Sequence, residues 1–161
     1  MIFRTPAQKS DLEWSWARGD RAFFAAGACH ILARAFLTNP IGHGFKPMMI
    51  VPGAGFRGGH VFATDGTTVF DYHGFSSHAR FLAHYFAKIS RIFPGWQGNV
   101  LDITDTFWTD DWFDVLQMRR PHQYHRDPSE RAAVFVAKMQ PKRIREAGQI
   151  CCSCGREQMG I

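Results

Sequence analysis

The sequence predicts an α+β fold in which a small antiparallel sheet packs on a central helix. The first observation is an Asp65-Gly66 pair between two apolar runs, 60–64 and 67–72, because this dipeptide is a strong signal for a β-hairpin. The second is the stretch 28–38, which is apolar on nearly all sides, as expected of a helix at the centre of a domain. We therefore expect the hairpin to pack against this helix.

The remaining elements complete a sheet that is surrounded by helices. Short strands are predicted at 46–51 and 99–103, next to glycine-rich or proline-rich segments. Three flanking helices are predicted from apolar residues at helical spacing and from the start and stop signals around them. They span 76–92, 105–118 and 128–139.

Length and composition indicate one globular domain with a tail. The chain has 161 residues, of which 45% are hydrophobic, so we expect a single α+β domain over 1–141. The remainder, 142–161, is predicted to be a basic, flexible tail. It contains Cys151, Cys152 and Cys154, but a structural zinc site needs four ligands, usually in two pairs. No metal or cofactor is therefore predicted.

The charge distribution argues against nucleic acid and membranes as partners. The net charge of +5 is spread along the chain, apart from Arg119-Arg120 and the tail, whereas nucleic-acid binders usually concentrate it on one element. No run approaches the ~18 apolar residues of a membrane span, and the N-terminal residues lack the apolar core of a signal peptide. We expect a cytoplasmic protein, and the oligomeric state is not predicted.

The predicted hairpin brings a histidine and an aspartate together. If Asp65 and Gly66 are the two central turn residues, Thr64 pairs with Thr67 and, further out, His60 lies directly opposite Asp71. Directly opposed residues share a face of the sheet, with Cβ atoms roughly 4.5–5.5 Å apart. At that spacing a carboxylate can hold an imidazole in one tautomer.

Cys29, His60 and Asp71 are the candidate catalytic residues. Cys29 lies at the predicted start of the central helix, where free N–H groups and the helix dipole favour a thiolate. A cysteine, a histidine and an orienting aspartate are the parts of a thiol nucleophile. The arrangement predicts a hydrolase or acyltransferase that acts on an amide or a peptide-like substrate.

Each candidate also has an ordinary structural explanation. Cysteine is among the most buried residue types, so Cys29 fits a core helix equally well. His60 alone fits a strand edge, and Asp71 alone fits a turn. His30 points about 100° away from Cys29 on a regular helix and is interpreted as a packing residue. The alternative function is therefore a catalytically inactive binding module on the same fold.

Two segments, 24–30 and 60–74, resemble small, uncharacterised bacterial members of the papain-like and transglutaminase-like cysteine hydrolase superfamily. Cysteine at a helix start, histidine on a following strand and aspartate on the next strand form that superfamily's core. The resemblance implies that Cys29 is the nucleophile, His60 the base and Asp71 the orienting acid. The chain departs from the pattern in its short Cys-to-His interval and in lacking an obvious glutamine for an oxyanion hole.

Overall fold

The structure is a computed structural model that describes residues 4–139. Five strands are present: β1 (Lys46–Pro52), β2 (His60–Thr64), β3 (Thr68–Asp71), β4 (Gly74–Ser77) and β5 (Gly98–Asp102). They form one antiparallel sheet in the order β4-β3-β2-β1-β5. The mixed helix-and-sheet architecture agrees with the predicted α+β class, while the predicted tail lies outside the described residues.

The helices differ widely in length. They are α1 (Pro6–Ser10), α2 (Leu12–Ala17), α3 (Asp20–Phe23), α4 (Cys29–Leu37), α5 (His78–Ile92), α6 (Thr104–Phe107), α7 (Trp112–Val115) and α8 (Ser129–Lys138). None of the helices in this part of the chain is both long and apolar enough to cross a membrane.

The sheet is covered on both faces, because the central hairpin has apolar side chains on each of them. Every residue of β2 is buried. On one face Phe70 packs against α4 and α8, and its ring stacks on that of Phe36 with centroids 4.0 Å apart. On the other face Phe62 and Val69 pack against α5. The hairpin therefore lies at the centre of the fold and holds its side chains in fixed positions.

The predicted hairpin register is wrong by two residues. Ala63 pairs with Phe70 and Thr64 pairs with Val69, rather than Thr64 with Thr67. Because side chains alternate with a period of two, a shift of two residues leaves every side chain on its predicted face. His60 and Asp71 therefore share a face of the sheet, as predicted, although they are not directly opposed.

The side chain of Asp65 accounts for the difference in register. Its Oδ1 accepts hydrogen bonds from the N–H groups of Thr67 and Thr68, at 2.8 and 2.7 Å. Gly66 adopts a φ of +95°, which glycine tolerates without steric cost. The carboxylate thus organises a longer loop than a two-residue turn, since aspartate readily bonds to backbone groups just ahead of it.

The predicted helix over 105–118 is wrong, because this segment forms the two short helices α6 and α7. The backbone N–H and the hydroxyl of Thr109 both donate to the Thr106 carbonyl, which ends α6 locally. Gln117 has a φ of +51° just after α7. Two aromatic residues of the segment, Phe107 and Trp112, are still fully buried, and their ring centroids lie 4.7 Å apart.

Replacing Phe36 by alanine is expected to destabilise the fold by about 3–5 kcal/mol, because the fully buried ring that stacks on Phe70 would leave a cavity. Urea unfolding followed by circular dichroism measures the change. Val134→Ala, on the exposed side of α8, is the control and should change the free energy of unfolding by less than about 1 kcal/mol. Equal effects of the two substitutions would contradict the described core.

Candidate active site

Cys29 is the first residue of α4, as predicted, but a π-turn over Phe24–Ala28 runs directly into this helix. Gly27 in that turn has a φ of +123°, and a Cβ at this position would lie 2.7 Å from Nη2 of Arg4. The bend before Cys29 therefore requires glycine. Cys29 therefore follows a bent helical turn, whereas the sequence predicted a helix that begins freely at this residue.

The sulfur of Cys29 lies beside the first peptide of β2. The Val61 N–H donates to Cys29 Sγ over 3.5 Å, and this peptide joins Val61 to His60. Cys29 packs with Val61 on the α4 side of the sheet, whereas alternation places His60 with Phe62 on the α5 side. The side chains of Cys29 and His60 nevertheless interact, because His60 is the first residue of β2 and lies at the end of that strand.

His60 and Asp71 are paired, although not in the predicted manner. His60 Nε2 lies 3.2 Å from Asp71 Oδ2, and both residues are buried. In the observed register they are diagonal neighbours on one face rather than directly opposed, which long side chains can bridge. Because Nε2 is engaged by Asp71, Nδ1 is the ring nitrogen left to face Cys29.

A second histidine completes the environment of Asp71. Its other oxygen, Oδ1, accepts a 2.8 Å hydrogen bond from the His73 N–H and lies 3.4 Å from His73 Nδ1. Burial opposes ionisation of Asp71, but hydrogen bonds from His60 and His73 outweigh it and hold the pKa of this carboxyl far below its usual range. His73 was not among the residues predicted from the sequence, because its contact depends on the tight turn between β3 and β4.

The charges at the site favour a thiolate and an imidazolium. Burial opposes a charged Cys29, but the neighbouring imidazoles of His30 and His60 lower the pKa of its thiol to about 5. Burial also opposes a charged His60, but Asp71 and Cys29 raise the pKa of its imidazole to about 9. Between these values the ionised pair is the dominant state.

His30 has a larger role than the packing function that the sequence suggested. It is buried, and its ring lies edge-on to Trp112 with centroids 5.6 Å apart, so it does pack. Its Nε2 lies 2.9 Å from the Arg119 carbonyl, which can only accept and therefore places the proton on Nε2. Nδ1 makes no regular hydrogen bond within the described residues, and the ring also influences the adjacent Cys29 thiol. In the sequence, the only sign that His30 affects the thiol is its position directly after Cys29.

Two tyrosines form the walls around His60. The ring of Tyr85 stacks on His60 with centroids 5.8 Å apart, and Tyr72 approaches it edge-on at 5.3 Å. Burial and nearby negative charge raise the pKa of both phenols, so both are neutral at physiological pH. The Tyr85 hydroxyl also donates a hydrogen bond to the Gly58 carbonyl. This bond anchors the glycine-rich loop 53–59, which directly precedes His60.

Searches of protein-family models, of curated proteins and of solved structures find no significant match to this chain. Within residues 4–139 no group of three or more His, Cys, Asp or Glu side chains is arranged to hold a metal ion. Cys151, Cys152 and Cys154 lie outside the described residues. The candidate site therefore rests on the geometry of Cys29 and its neighbours.

Replacing His60 by alanine is expected to slow the alkylation of Cys29 by iodoacetamide at pH 6–7, with the tail cysteines changed to serine. The thiol pKa should rise once the imidazole is lost, and the rate should fall about tenfold for each unit by which it exceeds the assay pH. His84→Ala, an exposed histidine of α5, is the control and should leave the rate unchanged. Equal rates for His60→Ala and wild type would contradict the pairing of Cys29 with His60.

Proposed function

We propose that the protein is a thiol-dependent hydrolase or acyltransferase that cleaves amide bonds in peptide-like substrates. The observation that carries the proposal is the buried series Cys29–His60–Asp71, in which a carboxylate holds the imidazole and the imidazole lowers the pKa of the thiol. The helix-strand-strand order of the three residues supports a papain-like or transglutaminase-like core as the finer description of the fold.

The first half of the proposed reaction transfers the acyl group to sulfur. The Cys29 thiolate attacks the carbonyl carbon, a C–S bond forms, and an electron pair moves onto the carbonyl oxygen. His60 then gives its Nδ1 proton to the amide nitrogen as the C–N bond breaks and the amine leaves. Neutral His60 and a thioester on Cys29 remain.

The second half regenerates the thiolate. Neutral His60 takes a proton from an incoming water, whose oxygen attacks the thioester carbon and displaces the Cys29 thiolate. The carboxylic acid leaves, and the imidazolium is restored. An amine or a hydroxyl in place of water gives acyl transfer. Asp71 remains ionised throughout and keeps the ring oriented.

The competing function is a non-catalytic binding module on the same fold. Cys29 is only 8% exposed, which favours this alternative because a nucleophile must be reached by its substrate. A binding module would tolerate Cys29→Ser without loss of partner binding and would turn over no acyl substrate.

An activity panel distinguishes the two functions. Wild type, Cys29→Ser and Asp71→Asn, each without the tail cysteines, are tested with electrophilic thiol probes and with peptide amides and esters. We expect Cys29→Ser to abolish probe labelling and turnover. Asp71→Asn should reduce turnover by up to about 10⁴-fold, because the amide favours the wrong imidazole tautomer.

Asp105→Asn in α6 is the matched control, since this aspartate is exposed and its substitution should leave turnover unchanged. Circular dichroism shows whether each variant is folded. Equal turnover in wild type and Cys29→Ser would remove Cys29 from the mechanism and favour the binding module.

A further inference from the structure

A narrow cleft lies beside the turn that precedes Cys29. Three arginines from separate segments line it: Arg4 before α1, Arg18 between α2 and α3, and Arg119 after α7. The backbone of Gly27 and the ring of Tyr124 form part of its wall. Three guanidinium groups thus line one cleft, beside the turn at Gly27 that leads into α4.

The positive charge of this arginine cleft is not compensated by carboxylates. None of the ion pairs formed within residues 4–139 includes Arg4, Arg18 or Arg119. Burial and the neighbouring Arg119 and Arg18 lower the pKa of Arg4, as expected when like charges are held together. The cleft therefore favours an anion, which would relieve this repulsion.

The hydrogen-bond donors of the cleft are also incompletely used. Arg4 Nη1 donates to the Ser15 hydroxyl at 3.0 Å, and Arg119 Nη2 donates to the Lys9 carbonyl at 2.9 Å, both neutral acceptors. Arg18 Nη1 is buried and has no hydrogen-bond partner among the described residues. An unpaired buried donor is costly, so this atom marks a position at which an acceptor is expected.

The arginine cleft is connected to the proposed nucleophile through short contacts. The Tyr124 hydroxyl donates to the Gly27 carbonyl at 2.6 Å, two residues before Cys29. The Arg119 carbonyl lies 2.9 Å from His30 Nε2, and the ring of His30 influences the thiol. An anionic group bound to the arginines would therefore lie close to the bend that positions Cys29.

We propose that the arginine cleft binds a carboxylate of the substrate, so that the preferred substrate is a peptide-like amide with a free carboxylate near the bond that is cleaved. This proposal rests on the proposed function. The guanidinium fork can hold either a carboxylate or a phosphate in a bidentate manner. A carboxylate fits better here because it is planar and smaller and the cleft is narrow.

Two alkylating reagents test the cleft without a known substrate. The Cys29 thiolate displaces iodide from either iodoacetate or iodoacetamide and forms a C–S bond, and only iodoacetate carries a carboxylate. With the tail cysteines replaced, the iodoacetate-to-iodoacetamide rate ratio should exceed that of free cysteine. Arg18→Gln should lower this ratio about fivefold or more. That factor corresponds to the loss of one contact between the carboxylate and a positive charge in water.

Arg80→Gln removes the same charge from an exposed position of α5 and should leave the ratio unchanged. A ratio equal to that of free cysteine, or equally affected by Arg18→Gln and Arg80→Gln, would overturn the carboxylate cleft while leaving the nucleophile intact. If neither reagent labels Cys29 before unfolding, the proposed function fails instead, and with it the role of the cleft in substrate binding.

A binding measurement then tests the cleft independently of thiol reactivity. Cys29→Ser protein is titrated with N-acetylglycine, with its neutral amide and with inorganic phosphate, and binding is followed by a thermal shift. We expect stabilisation by N-acetylglycine alone, and its loss in the Arg18→Gln background. Stabilisation by phosphate alone, or by none of the three, would overturn the proposal.

Discussion

The buried carboxylate of Asp71 organises the candidate site, since it fixes the position of His60. A charged oxygen that is withdrawn from water is tolerated only when it is paired and hydrogen-bonded. At 3% exposure, Asp71 meets this requirement through His60 on one oxygen and His73 on the other. Those contacts fix the ring of His60 against the neighbouring strand and leave Nδ1 as the ring nitrogen available to Cys29.

The contacts of His60 therefore both stabilise the Asp71 carboxylate and activate the Cys29 thiol. A carboxylate beside His60 favours the imidazolium, and an imidazolium beside Cys29 favours the thiolate. The fold supports this series because β2 is buried over its whole length and because Tyr72 and Tyr85 enclose the ring. A non-polar, fixed environment strengthens such charge interactions and keeps the side chains from separating.

The three residues predicted from the sequence as a site lie close together in the structure, but their predicted strand pairing is wrong. His60 and Asp71 meet despite the wrong register, because a shift of two residues preserves the faces of both strands. The register itself depends on how the Asp65 side chain bonds within the loop, which no dipeptide signal specifies. The contribution of His30 was missed because it depends on the Arg119 carbonyl, 89 residues away along the chain.

A titration of the Cys29 thiol tests most directly whether Cys29 and His60 form an ionised pair. In protein without the tail cysteines, the ultraviolet absorbance of the thiolate is followed from pH 4 to 10, and Cys29→Ser supplies the blank. A thiolate that persists on acidification until about pH 5 is the predicted result, since the neighbouring imidazoles of His30 and His60 lower the thiol pKa to about 5. A thiolate that appears only above about pH 8.5, as in an unperturbed cysteine, would show that the histidines do not activate Cys29.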